Sequence, residues 1–87
     1  MHDVNRLPRY VQQTEALVKQ YPRLPDALGE LEATLCSKPG IYPGVIGTEI
    51  YRVKIVPYPG MPSLSVYFTY NTKTVILLSA EIVDTEE

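Results

Sequence analysis

The sequence predicts an α+β domain in which an N-terminal helical hairpin packs on a small antiparallel sheet of three to four strands. Apolar residues recur every three or four positions before Pro39, whereas they alternate every second position after Glu49. The second half is also richer in β-branched and aromatic residues, which favour strands. With 87 residues, of which 45% are hydrophobic and 21% charged, the whole chain, 1–87, fits one globular domain.

The first helix is predicted over Pro8–Gln20. Pro8 suits the first turn of a helix. The Tyr21-Pro22 pair ends the helix, because proline restricts the residue before it and cannot donate the next hydrogen bond. The face predicted to be buried is formed by Tyr10, Thr14, Leu17 and Val18.

The second helix is predicted by four leucines at positions i, i+4, i+7 and i+11. Pro25 falls in its first turn, and Pro39-Gly40 ends it. To bury this leucine stripe and the apolar face of the sheet together, the leucines must pack against Val53, Ile55 and the apolar side of Val75–Leu78. The four leucines are Leu24, Leu28, Leu31 and Leu35.

Three strands follow, over Glu49–Pro57, Leu64–Asn71 and Thr74–Val83. The last two are separated by a tight turn and therefore form an antiparallel hairpin. The run Ile76–Leu78 is apolar on both faces, so this strand is predicted to be central in the sheet. A weaker alternation over His2–Arg6 is compatible with a fourth strand.

Composition excludes several classes of function. The net charge is −2, and neither half of the chain is basic, so there is no global positive field of the kind that nucleic-acid binders use. We therefore expect no DNA partner. The chain has one cysteine, Cys36, which cannot form an intramolecular disulfide, and one histidine, His2, so there is no cluster that would complete a zinc site. A serine triad would depend on His2 at the chain terminus, which disfavours it.

We accordingly expect no metal and no cofactor. We read Cys36 as a buried, unreactive thiol and His2 as a solvated terminal residue. The N-terminus lacks the apolar core of a signal peptide, and no stretch is long enough to span a bilayer. The expected location is cytoplasmic, with no membrane partner.

Arg52 and Lys54 are the residues with the clearest chemical potential, because they lie on the same face of a predicted strand. They could be exposed residues that protect a sheet edge or pair with Glu49 and Glu81. Alternatively, they could hold a phosphodiester and stabilise the charge that develops on its oxygens. Spacing alone does not decide between these two roles.

The order of motifs from Leu17 to Ile55 resembles that of the RelE/HigB-like toxins of bacterial toxin–antitoxin systems. The shared motifs are a Lys-x-Tyr-Pro-x-Leu junction between two helices, a leucine-striped second helix, a Pro-to-Gly turn that is longer here, and a strand with alternating cations. The paired C-terminal strands also match, and Asp84 and Glu86 match the acidic residues of the family's C-terminal Leu-Leu-x-x-Tyr-Asp-Lys-Ser-Glu motif. The matched positions are Lys19, Tyr21, Pro22, Leu24, Asp26, Leu28, Leu31, Leu35, Pro39, Gly44, Tyr51, Arg52, Val53 and Lys54.

This resemblance implies a RelE-like fold and an antitoxin-like protein or peptide as partner. In nuclease members of the family, the sheet cuts ribosome-bound messenger RNA by driving the ribose 2′-hydroxyl onto the adjacent phosphate, which requires an acid, a base and cations. Arg52 and Lys54 match two cationic positions. If activity survives, Tyr67 or Tyr70 would have to serve as the acid or base.

The sequence also departs from the nuclease members. Gly60–Val66 replaces a Gly-Lys-Ser-Gly-Gly-x-Arg run, and no cation remains there. Val83 and Thr85 replace a tyrosine and a lysine. The leading hypothesis is therefore a divergent toxin-family protein that acts by binding a partner, with the nuclease site largely lost.

Two other functions stay open. One is an active ribosome-dependent endoribonuclease that acts on messenger RNA, although the acidic chain disfavours binding to ribosomal RNA. The other is an inhibitor encoded by a phage or mobile element that reuses the fold. A homodimer is also possible, because five aromatic residues crowd the small sheet half: Tyr51, Tyr58, Tyr67, Phe68 and Tyr70.

Overall fold

A computed structural model describes residues 2–41, 44 and 49–83, in which two helices cover one face of a four-stranded mixed sheet. The chain runs from a strand through two helices and a single 3₁₀ turn into three further strands. The elements are β1 (Asp3–Arg6), α1 (Pro8–Gln20), α2 (Leu24–Ser37), the 3₁₀ turn (Pro39–Ile41), β2 (Tyr51–Ile55), β3 (Leu64–Tyr70) and β4 (Thr74–Ile82). The predicted α+β class is confirmed, and so is the fourth strand near the N-terminus.

Both helices begin and end close to the predicted residues. The backbone N–H of Tyr21 donates to the carbonyl of Leu17 at 2.7 Å, and this bond closes the last turn of α1 before Pro22. α2 has Pro25 in its first turn, with Asp26 near the positive end of the helix dipole. The proline positions in the sequence therefore set the helix boundaries.

The sheet has the order β1-β4-β3-β2, so β4 is central, as predicted. β2, β3 and β4 form an antiparallel meander, but β1 pairs with β4 in parallel, with Val4 opposite Val75. The prediction of an antiparallel sheet is therefore wrong for β1. The helical hairpin carries the chain from β1 to the far edge of the sheet, and two reversals then bring β4 back alongside β1 in the same direction.

The leucine stripe of α2 is buried against the sheet, as predicted. Leu24 and Leu35 are fully buried, and Leu28 and Leu31 join the same core cluster. On the sheet, this core includes Val53 and Leu77, with Ile55 packed at its margin. Each Leu or Val side chain buried in this way contributes about 1.5–3 kcal/mol.

A β-bulge in β4 changes which side chains face the helices. Tyr67 pairs with Ser79, whereas Phe68 pairs with Leu77, so Leu78 is an extra residue in β4. Leu77 and Ala80 are buried, while Leu78 and Ser79 are partly exposed. After the bulge, the residues of β4 from Ser79 onward therefore face the side of the sheet opposite to the one that strict alternation would give them.

The loop between β2 and β3 is anchored to the domain. Met61 is only 4% exposed, and the guanidinium of Arg23 lies over the ring of Tyr58, 4.7 Å from its centroid. Gly60 has φ of +96°, a backbone conformation that favours glycine. These contacts hold the loop against α2, next to the β2 edge.

Among the described residues, no helix is long and apolar enough to cross a membrane. Asp84, Thr85 and Glu86, which entered the family resemblance, lie outside the described residues.

Candidate functional site

The sheet has one face under the helices and one face that no described helix covers, which we call the open face. Strand alternation and the β4 bulge decide its membership. The open face includes Asp3 and Asn5 on β1, Arg52 and Lys54 on β2, Ser65, Tyr67 and Thr69 on β3, and Thr74, Ile76, Leu78, Ser79 and Glu81 on β4.

Two rows of polar side chains cross the open face. In the first row, Arg52 is opposite Tyr67, which is opposite Ser79. Directly opposed residues have Cβ atoms about 4.5–5.5 Å apart, so the Arg52 and Tyr67 side chains can contact a common ligand. With Lys54 two residues further along β2, the structure places three of the four residues singled out in the sequence on one face.

The second row lies two residues further along β2 and β3. Lys54 is opposite Ser65, and Ser65 is opposite Glu81. Ser65 is only 4% exposed, whereas Lys54 and Glu81 are both exposed. The row therefore places a cation on the edge strand and a carboxylate on the central strand, separated by a hydroxyl.

Tyr70 lies on the opposite face from these cations. Its ring centroid is 5.0 Å from that of Tyr51, 6.4 Å from that of Phe68 and 6.2 Å from that of His2. A hydrogen bond with Tyr70 raises the pKa of Tyr51. Tyr70 thus belongs to an aromatic cluster on the helix-covered face and does not share a site with Arg52.

A shallow depression of about 330 Å³ lies at one end of the open face. Arg9, from the first turn of α1, and Ile50, just before β2, contribute to it from outside the sheet. The lining residues are Arg9, Ile50, Tyr67, Leu78, Ser79 and Glu81. It combines apolar side chains with two charges of opposite sign.

The sequence did not identify Arg9 or Leu78 as members of this site, and it offered Glu81 only as a possible ion-pair partner of Arg52 and Lys54. Strict alternation from Leu77 would place Glu81 on the helix-covered face, and only the bulge turns it to the open one. Arg9 enters the site through the packing of α1 against β4. Neither effect has a local sequence signal.

A second concavity, of about 440 Å³, runs between α1 and α2. Glu32 lies in it and accepts hydrogen bonds from the Tyr10 hydroxyl at 3.2 Å and from Nε of Arg6 at 3.1 Å, while Nη2 of Arg6 completes a salt bridge. Burial, reinforced by Glu32, raises the pKa of Tyr10, and the hydrogen bond to Glu32 raises the pKa of Arg6. The pairing of Arg6 with Glu32 therefore joins β1 to α2 in this groove.

Cys36 and His2 meet at the C-terminal end of α2. The backbone N–H of His2 donates to the Cys36 carbonyl at 3.0 Å, and Nδ1 of His2 lies 3.1 Å from the same oxygen. His2 is therefore tied to the helix, and the interpretation of a free terminal residue is wrong. Burial raises the pKa of the Cys36 thiol, which keeps it protonated near neutral pH.

No group of three or more His, Cys, Asp or Glu side chains suited to a metal ion occurs within the part of the chain that the structure describes. No model of a protein family matches the chain, and no curated protein matches it.

Proposed function

We propose that the chain is a divergent member of the RelE/HigB-like toxin family that acts by binding an antitoxin-like partner protein, with the nuclease chemistry largely lost. The order of elements supports this assignment, because a helical hairpin on a small sheet is the architecture that the motif resemblance implies. Among the strands that the structure describes, the parallel pairing of β1 is the departure from the expected antiparallel sheet.

The observation that carries the proposal is the combination of apolar and cationic side chains on the open face. Ile50, Tyr67 and Leu78 are partly exposed around the depression, which Arg9 and Glu81 also line, and Arg52 lies opposite Tyr67 on the neighbouring strand. Aromatic residues and arginine are enriched at protein–protein interfaces, where apolar contacts provide affinity and charges provide orientation. A partner with apolar and acidic side chains would complement this surface.

Geometry also supports the loss of nuclease chemistry. Of the two tyrosines that could replace a missing acid or base, only Tyr67 shares a face with Arg52 and Lys54. Removal of one preorganised charge-stabilising group typically costs a factor of about 10²–10³ in rate. Two cations supply charge stabilisation but no proton transfer, since arginine stays protonated.

Binding to the product of the neighbouring reading frame provides the test. Isothermal titration calorimetry would compare the unmodified chain with a double variant, Arg52→Glu with Lys54→Glu. The matched control is Lys38→Glu with Lys73→Glu, which changes the charge equally at exposed positions away from the open face. We expect the first variant to bind about tenfold more weakly or worse, and the control to bind normally.

Two results would contradict the proposal. Equal weakening in both variants would show a non-specific charge effect. A neighbouring product that does not bind the unmodified chain would remove the antitoxin-like partner and favour the inhibitor encoded by a phage or mobile element.

An active ribonuclease is the second candidate, and one observation favours it. Arg52 and Tyr67 are direct cross-strand neighbours, and Glu81 borders the same depression as Tyr67. Tyr67 could protonate a leaving oxygen, Glu81 could accept the 2′-hydroxyl proton, and Arg52 could stabilise the phosphorane.

Induced expression in a bacterial host, with mapping of transcript ends, separates the two candidates. We expect no new cuts within translated codons. Growth arrest accompanied by such cuts, and abolished by Arg52→Ala or Tyr67→Phe, would establish the ribonuclease instead.

A further inference from the structure

Polar contacts, more than apolar burial, hold β1 in place. The strand has four residues, and three of them, Asp3, Asn5 and Arg6, are exposed. Val4 is its single apolar residue, and that side chain is only partly buried at the margin of the core. Few buried apolar contacts are typical of segments that open before the whole domain unfolds.

Within the part of the chain that the structure describes, β1 pairs with β4 alone, and it does so in parallel, the slightly weaker kind of pairing. Backbone hydrogen bonds close both ends of this pair. The N–H of Asp3 donates to the carbonyl of Lys73 at 2.8 Å, and the N–H of Leu7 donates to that of Leu77 at 3.1 Å. These two amide protons therefore report whether β1 is seated on β4.

Two further contacts tie β1 to α2. Just before the strand, the N–H of His2 donates to the carbonyl of Cys36 at 3.0 Å. At the end of the strand, the Arg6 guanidinium pairs with Glu32, which lies one helical turn before Cys36. The Arg6 side chain is 50% exposed and that of Glu32 is 13% exposed, so the carboxylate is the enclosed partner and the cation faces solvent.

Glu32 and α1 also have anchors that do not depend on β1. The Tyr10 hydroxyl donates to Glu32, and Tyr10 is only 1% exposed. The side-chain oxygen of Gln13 accepts the N–H of Ala80 at 2.8 Å, which fastens α1 to β4 beyond the end of β1. α1 can therefore stay in place when β1 leaves.

The joint between β1 and α1 permits such a movement. Leu7 is the one residue between them, and its backbone is extended, with φ of −73° and ψ of 155°. Pro8 follows and has no N–H, so no hydrogen bond has to break there. Rotation about the N–Cα bond of Leu7 would lift β1, while the Leu7 carbonyl would keep its bond from the N–H of Val11.

We propose that β1 is a releasable strap, which opens from β4 and α2 as one unit while α1, α2 and the β2–β4 meander stay folded. The ion pair between Arg6 and Glu32 is the clasp that sets how often the strap opens. Opening withdraws Arg6 from the wall of the groove between the helices and uncovers the edge of β4. The strap thereby controls access to both surfaces, and this inference does not depend on the proposed function.

Native-state hydrogen exchange tests the strap. Exchange is followed by NMR on the ¹⁵N-labelled chain at low concentrations of urea and corrected for intrinsic rates. We expect Asp3 and Leu7 to show equal protection, at least tenfold below that of Ser65 and Val66 in the middle of the sheet. A low value at Asp3 with Leu7 as protected as Val66 would show simple fraying of the terminus and overturn the proposal.

A core substitution far from β1 separates opening of the strap from unfolding of the domain. Ile55→Val, on β2 at the opposite edge of the sheet, should lower the protection of Val66 severalfold. Protection at Asp3 and Leu7 should not change, because the contacts of Ile55 are intact when only the strap is open. An equal fall at all three amides would mean that β1 leaves only when the domain unfolds, which refutes the strap.

Glu32→Gln tests the clasp. It should lower protection at Asp3 and Leu7 by about fivefold, since it removes the charge that holds Arg6. Arg6→Gln should give the same fall, and the two substitutions together should do no more than either alone. Glu30→Gln, the same change on the exposed side of α2, is the control and should leave both amides as they are. Unchanged protection in Glu32→Gln, or an equal fall in the control, would overturn the role of the ion pair.

Discussion

The two faces of the sheet contain adjacent residues of the same strands in very different surroundings. Under the helices, Phe68 and Leu77 are fully buried. Their chain neighbours on the open face, Tyr67 and Leu78, remain partly exposed. Charges differ in the same way, because Arg6 is paired with Glu32 on the helix-covered side, whereas no described carboxylate pairs with Arg52.

This difference indicates that the two faces have different roles. The helix-covered face holds the apolar core and the paired charges, so its residues determine stability. The open face and the β2 edge contain polar and cationic groups whose removal leaves the core intact. Substitutions should therefore affect either folding or binding, according to the face on which they lie.

The largest expected effect comes from two leucines that are adjacent in β4. Leu77→Ala should lower the free energy of unfolding by about 2–5 kcal/mol, because it leaves a cavity in the core. Leu78→Ala, the same chemical change on the open face, should cost about 1 kcal/mol or less. Urea unfolding followed by circular dichroism measures both. Equal losses would show that the bulge does not separate the two faces.

The next largest effect concerns the ion pair between Glu32 on α2 and Arg6 on β1. Glu32→Gln keeps an acceptor for the Tyr10 hydroxyl but removes the charge that binds Arg6, and it should cost about 1 kcal/mol, since Arg6 is half exposed. Glu30→Gln, on the exposed side of the same helix, is the control and should be nearly neutral. Thermal unfolding at low and high salt would check this, and a loss equal to that of the control would contradict a contribution from the ion pair.

Tyr10 provides a pH-dependent effect of similar size. Its pKa is raised in the folded state, so the unfolded chain loses this proton first, and stability falls as pH rises above about 10. Between pH 8 and pH 10.5, Tyr10 should account for about 0.8 kcal/mol of the loss.

Comparison with Tyr10→Phe isolates this contribution, because Cys36 and Tyr51, whose pKa values are also raised, titrate in both proteins. Urea unfolding at a series of pH values gives the slopes, and parallel curves for the unmodified chain and Tyr10→Phe would refute the assignment.

The smallest expected effect on stability comes from the cations of β2. Arg52→Ala and Lys54→Ala should each change the free energy of unfolding by less than about 0.5 kcal/mol, because both side chains are exposed and neither is paired with a described residue. The same urea experiment checks this. A loss above about 1 kcal/mol would assign these residues to the fold instead of to binding.

Several features were predictable because they depend on local periodicity or on proline. The bounds of α1 and the central place of β4 follow from patterns within each segment, as does the burial of Leu31 and Leu35. Tyr67 and Tyr70 are three residues apart in one strand, so alternation alone predicts that they lie on opposite faces. The site predicted from the sequence included both tyrosines and did not use this alternation.

Other features depend on contacts between segments distant in sequence. Arg9 reaches the site of Tyr67 only because α1 packs against β4. Glu81 joins the open face only because the bulge shifts the register after Leu77. The parallel pairing of β1 results from the path of the whole chain.

The sequence by itself determined where helices and strands form and which side of each helix is buried, because apolar spacing and proline act within a few residues. Tertiary structure alone decided the direction of β1, the register of β4 and the meeting of Arg9, Tyr67 and Glu81. Pairing between strands is set by the fit of side chains across the completed sheet, and a single extra residue reverses the face of every residue that follows it.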